Sequence, residues 1–264
     1  MFIGKQNTIA NKVSCSGKTA HDTCPMSTIT FLPAEANTGI IFKRTDLKKN
    51  NEIKAVYKNI KRDGRVGITL ANKFGVEVFN IEHVMSAIWG QAIDNLIVEV
   101  DCPEVPITDG STEPLLFLLK SAGHKELKEQ RKVLEIKKEI KVKSDKGEIS
   151  IKPLKSFIIN MALNSKSGEE LNESFTFDYS TSPYKDTISR ARSFYLENDG
   201  KIIDEEDYRH SAEFARHEIL DCIGSLFLSG YFKLGEINCV NGDYDLYSDL
   251  LEAIFESEDN YGIV

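Results

Sequence analysis

The chain has 264 residues, enough for two modest domains, and its 41% hydrophobic and 28% charged residues are ordinary for a globular protein. A formal net charge of -8 excludes nucleic acid as the main partner, because binding to phosphate backbones is driven by Lys and Arg. The five cysteines (Cys15, Cys24, Cys102, Cys222 and Cys239) form no CxxC pair and are odd in number, which points to a reducing cytoplasm rather than a disulfide framework. Residues 1–6 lack the apolar core of a signal peptide, and no run approaches a membrane span. A cytoplasmic protein without stable membrane insertion is therefore expected.

In chain order, residues 28–32 and 39–42 alternate like strands, broken by Pro33 and Asn37. A half-buried strand at 76–79 runs into a helix over 80–90, with Asn80 as N-cap, Gly90 as stop, and Val84, Ala87 and Ile88 on one face. A strand at 95–100 and a stiff loop with Pro103, Pro106 and an Asp109-Gly110 turn lead to a helix over 113–122, ended by Gly123. Residues 124–132 are highly charged and mark the best domain boundary. Strands then restart at 133–142, 149–151, 157–163 and 174–177, followed by helices over 185–196, 212–229 and 247–256. Both halves thus run strands, a helix bearing candidate ligands and a closing helix, a faint sign of duplication.

The chemistry-bearing residues lie on two of these helices. Glu82 and His83 sit side by side in the first turn of one, a carboxylate beside an imidazole; the plain alternative is a solvated helix start. His217 and Asp221 are four apart on the other, so both leave the same face; the alternative is a surface His–Asp pair. Two such ligands with His83 as the third make a zinc site with an open position for water, and Glu82 is placed to take a proton from that water. There is no Gly-x-Ser-x-Gly elbow and no Gly-rich phosphate loop. Trp89 ends the first helix and reads as core.

Several stretches occur together in one order. They are Asn37-Thr38-Gly39-Ile40-Ile41-Phe42-Lys43-Arg44-Thr45-Asp46-Leu47, Ile81-Glu82-His83-Val84-Met85-Ser86-Ala87, Ile93-Asp94-Asn95 and Glu104-Val105-Pro106-Ile107-Thr108-Asp109-Gly110-Ser111. Ser189-Arg190-Ala191-Arg192-Ser193-Phe194 and Glu213-Phe214-Ala215-Arg216-His217-Glu218-Ile219-Leu220-Asp221 complete the set. In these stretches, which span nearly the whole chain, it resembles the UDP-3-O-acyl-N-acetylglucosamine deacetylases, the zinc enzymes of lipid A biosynthesis. The resemblance implies an α+β fold of two similar domains, 1–126 and 127–264. Each is a β-sheet with two helices packed on it, and the helices meet at the domain interface around the metal. It implies a Zn2+ cofactor held by His83, His217 and Asp221, and Glu82 as general base. Ser193 stands where the family has a hydroxyl that helps stabilise the oxyanion. Phe194, Lys152 and His21 match substrate-side positions, Lys152 toward the phosphates. The expected partner is a small-molecule UDP-linked acyl-glucosamine, and the protein is expected to be a monomer.

The departures are concentrated near the site. Tyr244 stands where the resemblance implies a second catalytic histidine, Ser225 where it implies that histidine's carboxylate partner, and Glu218 where it implies a lysine. The segment between Phe194 and His217 is shorter than the resemblance implies, and since in the family it forms a hairpin insert lining the passage for the acyl chain, a reduced passage is expected. Two further readings therefore stay open: a degenerate zinc-binding paralogue acting as a binding or regulatory protein, and an amidase for a smaller or less apolar substrate.

Overall fold

Apolar alternation in the first half becomes a run of short strands. In the computed structural model, which describes residues 4–164, 172–193 and 207–264, these are β1 (Lys5–Ile9), β2 (Val13–Gly17), β3 (Ser27–Pro33), β4 (Ile40–Arg44), β5 (Glu52–Lys54), β6 (Ile60–Lys61), β7 (Thr69–Ala71) and β8 (Glu77–Phe79). Helix α1 (Glu82–Gly90), β9 (Leu96–Val100), α2 (Glu113–Ser121) and β10 (His124–Gln130) follow. The second half contains β11 (Val133–Ile136), β12 (Ile140–Lys143), β13 (Glu148–Lys152), β14 (Phe157–Leu163), β15 (Glu173–Asp178), α3 (Tyr184–Thr187), α4 (Glu213–Phe227), β16 (Phe232–Val240), α5 (Tyr244–Phe255) and β17 (Tyr261–Ile263).

The fold is α+β, and the two halves share one strand order. The first sheet runs β2-β3-β9-β4-β5, with β9 parallel to β4 and antiparallel to β3. The second contains β12-β13-β16-β14-β15, with β16 parallel to β14 and antiparallel to β13. In each half a helix leads into the central strand (α1 into β9, α4 into β16), and a second helix follows it. The duplication hinted at by spacing is therefore present in the topology.

α1 and α4 pack directly on each other, which explains why α1 is buried around its whole circumference, from Glu82 to Trp89, rather than on the single expected face. The contact is close because α4 carries Gly224 at the crossing: a Cβ there would overlap the main-chain carbonyl oxygen of Glu82. Trp89 carries the contact further. Its ring lies 5.3 Å from Phe157, 6.2 Å from Phe232 and 5.6 Å from Tyr184, all from the second half. The Tyr184 hydroxyl bonds with the Ser86 hydroxyl at 2.8 Å and the Thr112 hydroxyl at 3.0 Å, satisfying buried polar groups at the junction.

Several sequence expectations are corrected. Asn80 does not cap α1: the helix opens after Ile81, and Asn80 takes a left-handed φ of 64°, a conformation asparagine tolerates, to turn the corner out of β8. The charged stretch read as a boundary forms β10, which pairs with β1. The expected strand at 133–142 divides into β11, which pairs with β16 and β17, and β12, which pairs with β13. The expected helix at 185–196 is helical only as α3, because tertiary acceptors take over its backbone donors. Arg192 N–H donates to Glu213 Oε1 at 2.9 Å and Ser193 N–H to Gly110 O at 2.9 Å. Residues 194–196 lie outside the described residues. Helix α5 begins three residues earlier than expected, because the Asp243 carboxylate accepts the Leu246 N–H at 2.8 Å and caps it. Against the reading of five unpaired cysteines, Cys24 and Cys102 form a disulfide; Cys15, Cys222 and Cys239 are free. Among the described residues no helix is long and apolar enough to cross a membrane.

Two stability outcomes follow from these contacts. Gly224→Ala forces α1 and α4 apart and should cost about 3 kcal/mol by denaturant unfolding; an unchanged midpoint would show that the crossing is looser than described. The Cys24–Cys102 bond closes a separation of 78 residues. Its reduction should therefore lower the unfolding free energy by about 4 kcal/mol on the loop-entropy estimate, and urea titrations with and without reductant measure that difference.

Candidate metal centre and its cleft

The turn after β8 delivers Glu82 and His83 into the first turn of α1, facing α4. On α4, His217 and Asp221 leave the face that carries Gly224, so the helix crossing brings all four side chains together. They are buried, at 2% (Glu82), 6% (His83), 2% (His217) and 3% (Asp221) exposure. His83 Nε2 lies 3.3 Å from Asp221 Oδ1, and His217 Nε2 lies 3.4 Å from Asp221 Oδ2. One ligand atom from each of the three residues lies within 4.8 Å of the others. Two donors bound tetrahedrally at zinc distances stand about 3.3–3.4 Å apart, so the spacing suits such an ion.

Three further features fit a cation. Asp221 Oδ1 is buried without a hydrogen-bond partner. His217 Nδ1 donates to the Ala191 carbonyl at 3.1 Å, which fixes the tautomer with the Nε2 lone pair toward Asp221. The site also holds more buried negative charge than its neighbours neutralise. Burial, then the Asp221 charge, pushes Glu82 up to about 7 and Glu218 up to about 8. Burial lowers His217, whereas at His83 the Asp221 and Glu82 carboxylates outweigh burial and raise it. Burial opposes ionisation of Asp221 too, but the two imidazoles hold its carboxyl below the usual range. Two imidazoles and one carboxylate are a zinc-type donor set with room for further ligands.

These groups open onto a cleft of about 710 Å³ between the halves. Glu82 is aimed by the Ile68 N–H, which donates to Oε2 at 2.9 Å. The Tyr244 hydroxyl, on the first turn of α5, donates to Asp221 Oδ2 at 3.0 Å and reaches Glu82 Oε1 at 3.4 Å. Tyr244 therefore sits in the centre, not in a plain core or surface position. Glu218 lines the cleft and accepts a bond from the Tyr247 hydroxyl at 3.2 Å. Ser225 takes no part: its hydroxyl donates to the Asp221 main-chain carbonyl at 2.6 Å.

His21 and Ser193 line the cleft; Phe194 lies outside the described residues. Lys152 is not among the lining residues; its ammonium group lies 3.9 Å from Glu139 at an exposed end of β13. Lys146 reaches the cleft in its place, carried by the β12–β13 turn. Sequence reading also missed the basic rim of Lys61, Arg62 and Arg65 on the β6–β7 turn. The turn signals Asp63-Gly64 and Gly67, set among three cations, were the available clue.

Residues 6–201 and 196–256 match the model of the family described as LpxC, UDP-3-O-acyl N-acetylglycosamine deacetylase. Relatives named UDP-3-O-acyl-N-acetylglucosamine deacetylase align over nearly the full chain. The one from Aliivibrio fischeri is 32% identical over 280 residues, covering 97% of this chain and 91% of its own. That from Hamiltonella defensa is 33% identical over 279 residues, covering 96% and 90%. That from Shewanella oneidensis is 31% identical over 284 residues, covering 98% and 92%.

Glu218 sets a pH dependence for the metal-free protein. Below about pH 4.5 it is protonated folded and unfolded alike; from there to about 8 only the unfolded chain releases the proton. Stability should therefore fall as pH rises through this window, and Glu218→Gln should remove that loss. Denaturant midpoints should agree between variant and wild type at pH 4 and favour the variant at pH 8. Parallel curves across the range would show that Glu218 ionises freely in the fold.

Proposed function

Because the chain belongs to the UDP-3-O-acyl-N-acetylglucosamine deacetylase family, we propose that it hydrolyses the acetamide of a UDP-linked 3-O-acyl-N-acetylglucosamine with the help of zinc. The observation that carries the reading is the convergence of His83, His217 and Asp221 beside the buried carboxylate of Glu82. His83 and His217 through Nε2, with the Asp221 carboxylate, would hold the ion. A bound Zn2+ lowers the pKa of a coordinated water to about 7 and polarises the amide carbonyl.

The remaining work falls to the chain's own groups. Glu82, poised near 7 and held by the Ile68 amide, takes the proton of the attacking water and returns it to the departing amine. Ser193 offers its hydroxyl to the developing oxyanion. Tyr244 does not replace a general-acid histidine: burial, then the charges of Asp221 and Glu82, drives its pKa well above its ordinary 10. It donates hydrogen bonds to Asp221 and Glu82 instead. With one residue acting as both base and acid, and no cation at position 218, turnover is expected to be about 10²- to 10⁴-fold below that of an enzyme with a separate acid.

The same two substitutions favour a second reading, a zinc-binding paralogue without useful turnover. Glu82→Gln separates the two. On the enzyme reading it removes acetate release by at least about 10²-fold while metal content, read by elemental analysis, stays unchanged. A wild-type protein that binds one zinc and releases acetate no faster than Glu82→Gln would establish the paralogue.

A further inference from the structure

We propose that Glu104 is a positioning residue that acts on the proposed deacetylation through His21, holding that imidazole in one tautomer and one orientation at the mouth of the cleft. Glu104 is 0% exposed, yet no Lys or Arg pairs with it among the described residues. Its carboxylate is instead satisfied from a single short loop. Oε1 accepts the Ala20 N–H at 2.9 Å, the His21 N–H at 3.1 Å and His21 Nδ1 at 3.1 Å, and Oε2 accepts the Thr23 hydroxyl. A buried carboxylate is costly where a neutral side chain would fill the space. What it supplies here is an acceptor-only group, which forces the proton of a neutral His21 onto Nδ1 and leaves Nε2 as the acceptor.

The surroundings hold the ring at the cleft. The His21 side chain is 42% exposed and lines the cleft, and its ring packs 4.8 Å from that of Phe79. Arg65 lies 4.4 Å from the same Phe79 ring. Phe79 is bridged in parallel to Glu104, with the Phe79 N–H donating to the Pro103 carbonyl at 2.8 Å. That strand end is three residues before Glu82, so one backbone bridge references both His21 and the proposed base. The loop is tied down on its far side by the Cys24–Cys102 disulfide, two residues before Glu104.

The role predicts a binding effect transmitted by one side chain. In the zinc-loaded protein, Glu104→Ala and His21→Ala should each raise KM about tenfold and change kcat less than twofold, with Glu104→Ala adding nothing in the His21→Ala background. Glu104→Gln, which exchanges one acceptor oxygen for a donor amide and so no longer imposes the tautomer, serves if the alanine variant fails to fold and should raise KM in the same direction by a smaller factor. Ring-nitrogen NMR should show the Nδ1–H tautomer of His21 in the wild type and its loss in Glu104→Ala. An undiminished Glu104→Ala effect in the absence of His21, or a His21 tautomer unmoved by the substitution, would overturn the proposal. The NMR result is read whether or not the protein turns over, so failure of the deacetylase reading is distinguishable from failure of this one.

Discussion

Two helices from different halves of the chain supply one site only because α4 has no side chain where it crosses α1. Gly224 is a poor helix former, about 1 kcal/mol worse than alanine. Its place in the middle of a long helix is explained by the Glu82 backbone lying against it. His217, Asp221 and Gly224 share a face of α4, so the position that admits α1 is also the one that lines up the two ligands. The rest of the junction, from Trp89 among Phe157, Phe232 and Tyr184 to the Tyr184 hydroxyl between Ser86 and Thr112, stabilises that approach.

The electrostatic character of the centre follows from the same burial. Glu82, Asp221 and Glu218 are withdrawn from water within one cleft, with the imidazoles of His83 and His217 beside Asp221. Burial, and after it the Asp221 charge, raises Glu82 to about 7, where a group can both take and return a proton. Tyr244 and Glu218 change the balance from the pattern the family resemblance implied. The Tyr244 hydroxyl donates to Asp221 and reaches Glu82, and the Glu218 carboxyl, bonded by Tyr247, stands where the resemblance implies a cation.

The duplicated topology explains why the site lies between the halves. Each sheet presents one helix ahead of its central strand, and the two meet face to face. The halves contribute different groups, since α1 brings Glu82 and one candidate ligand at its first turn while α4 brings two candidate ligands one turn apart. The basic β6–β7 turn and the arm carrying His21 line the cleft from the first half, and the β12–β13 turn with Lys146 lines it from the second.

Local pattern was enough to find most strands, helices α1, α2 and α4, and all three candidate ligands with their base. Period-two and period-3.6 burial and the i, i+4 spacing of His217 and Asp221 are properties of neighbouring residues. What local pattern could not reach was set by partners distant in the chain. Asn80 lost its capping role to a left-handed corner, Arg192 and Ser193 left the helix for acceptors on α4 and the Asp109-Gly110 loop, and residues 124–130 became a strand by pairing with β1. Lys146 reached the cleft because of how a hairpin turns across the sheet, and Cys24 met Cys102 across 78 residues that no spacing rule connects. The identities of the candidate groups were thus written in the sequence. Their shared location, their tautomers and their charge states came from the crossing of two helices, because only burial against a distant surface removes water and aligns a lone pair.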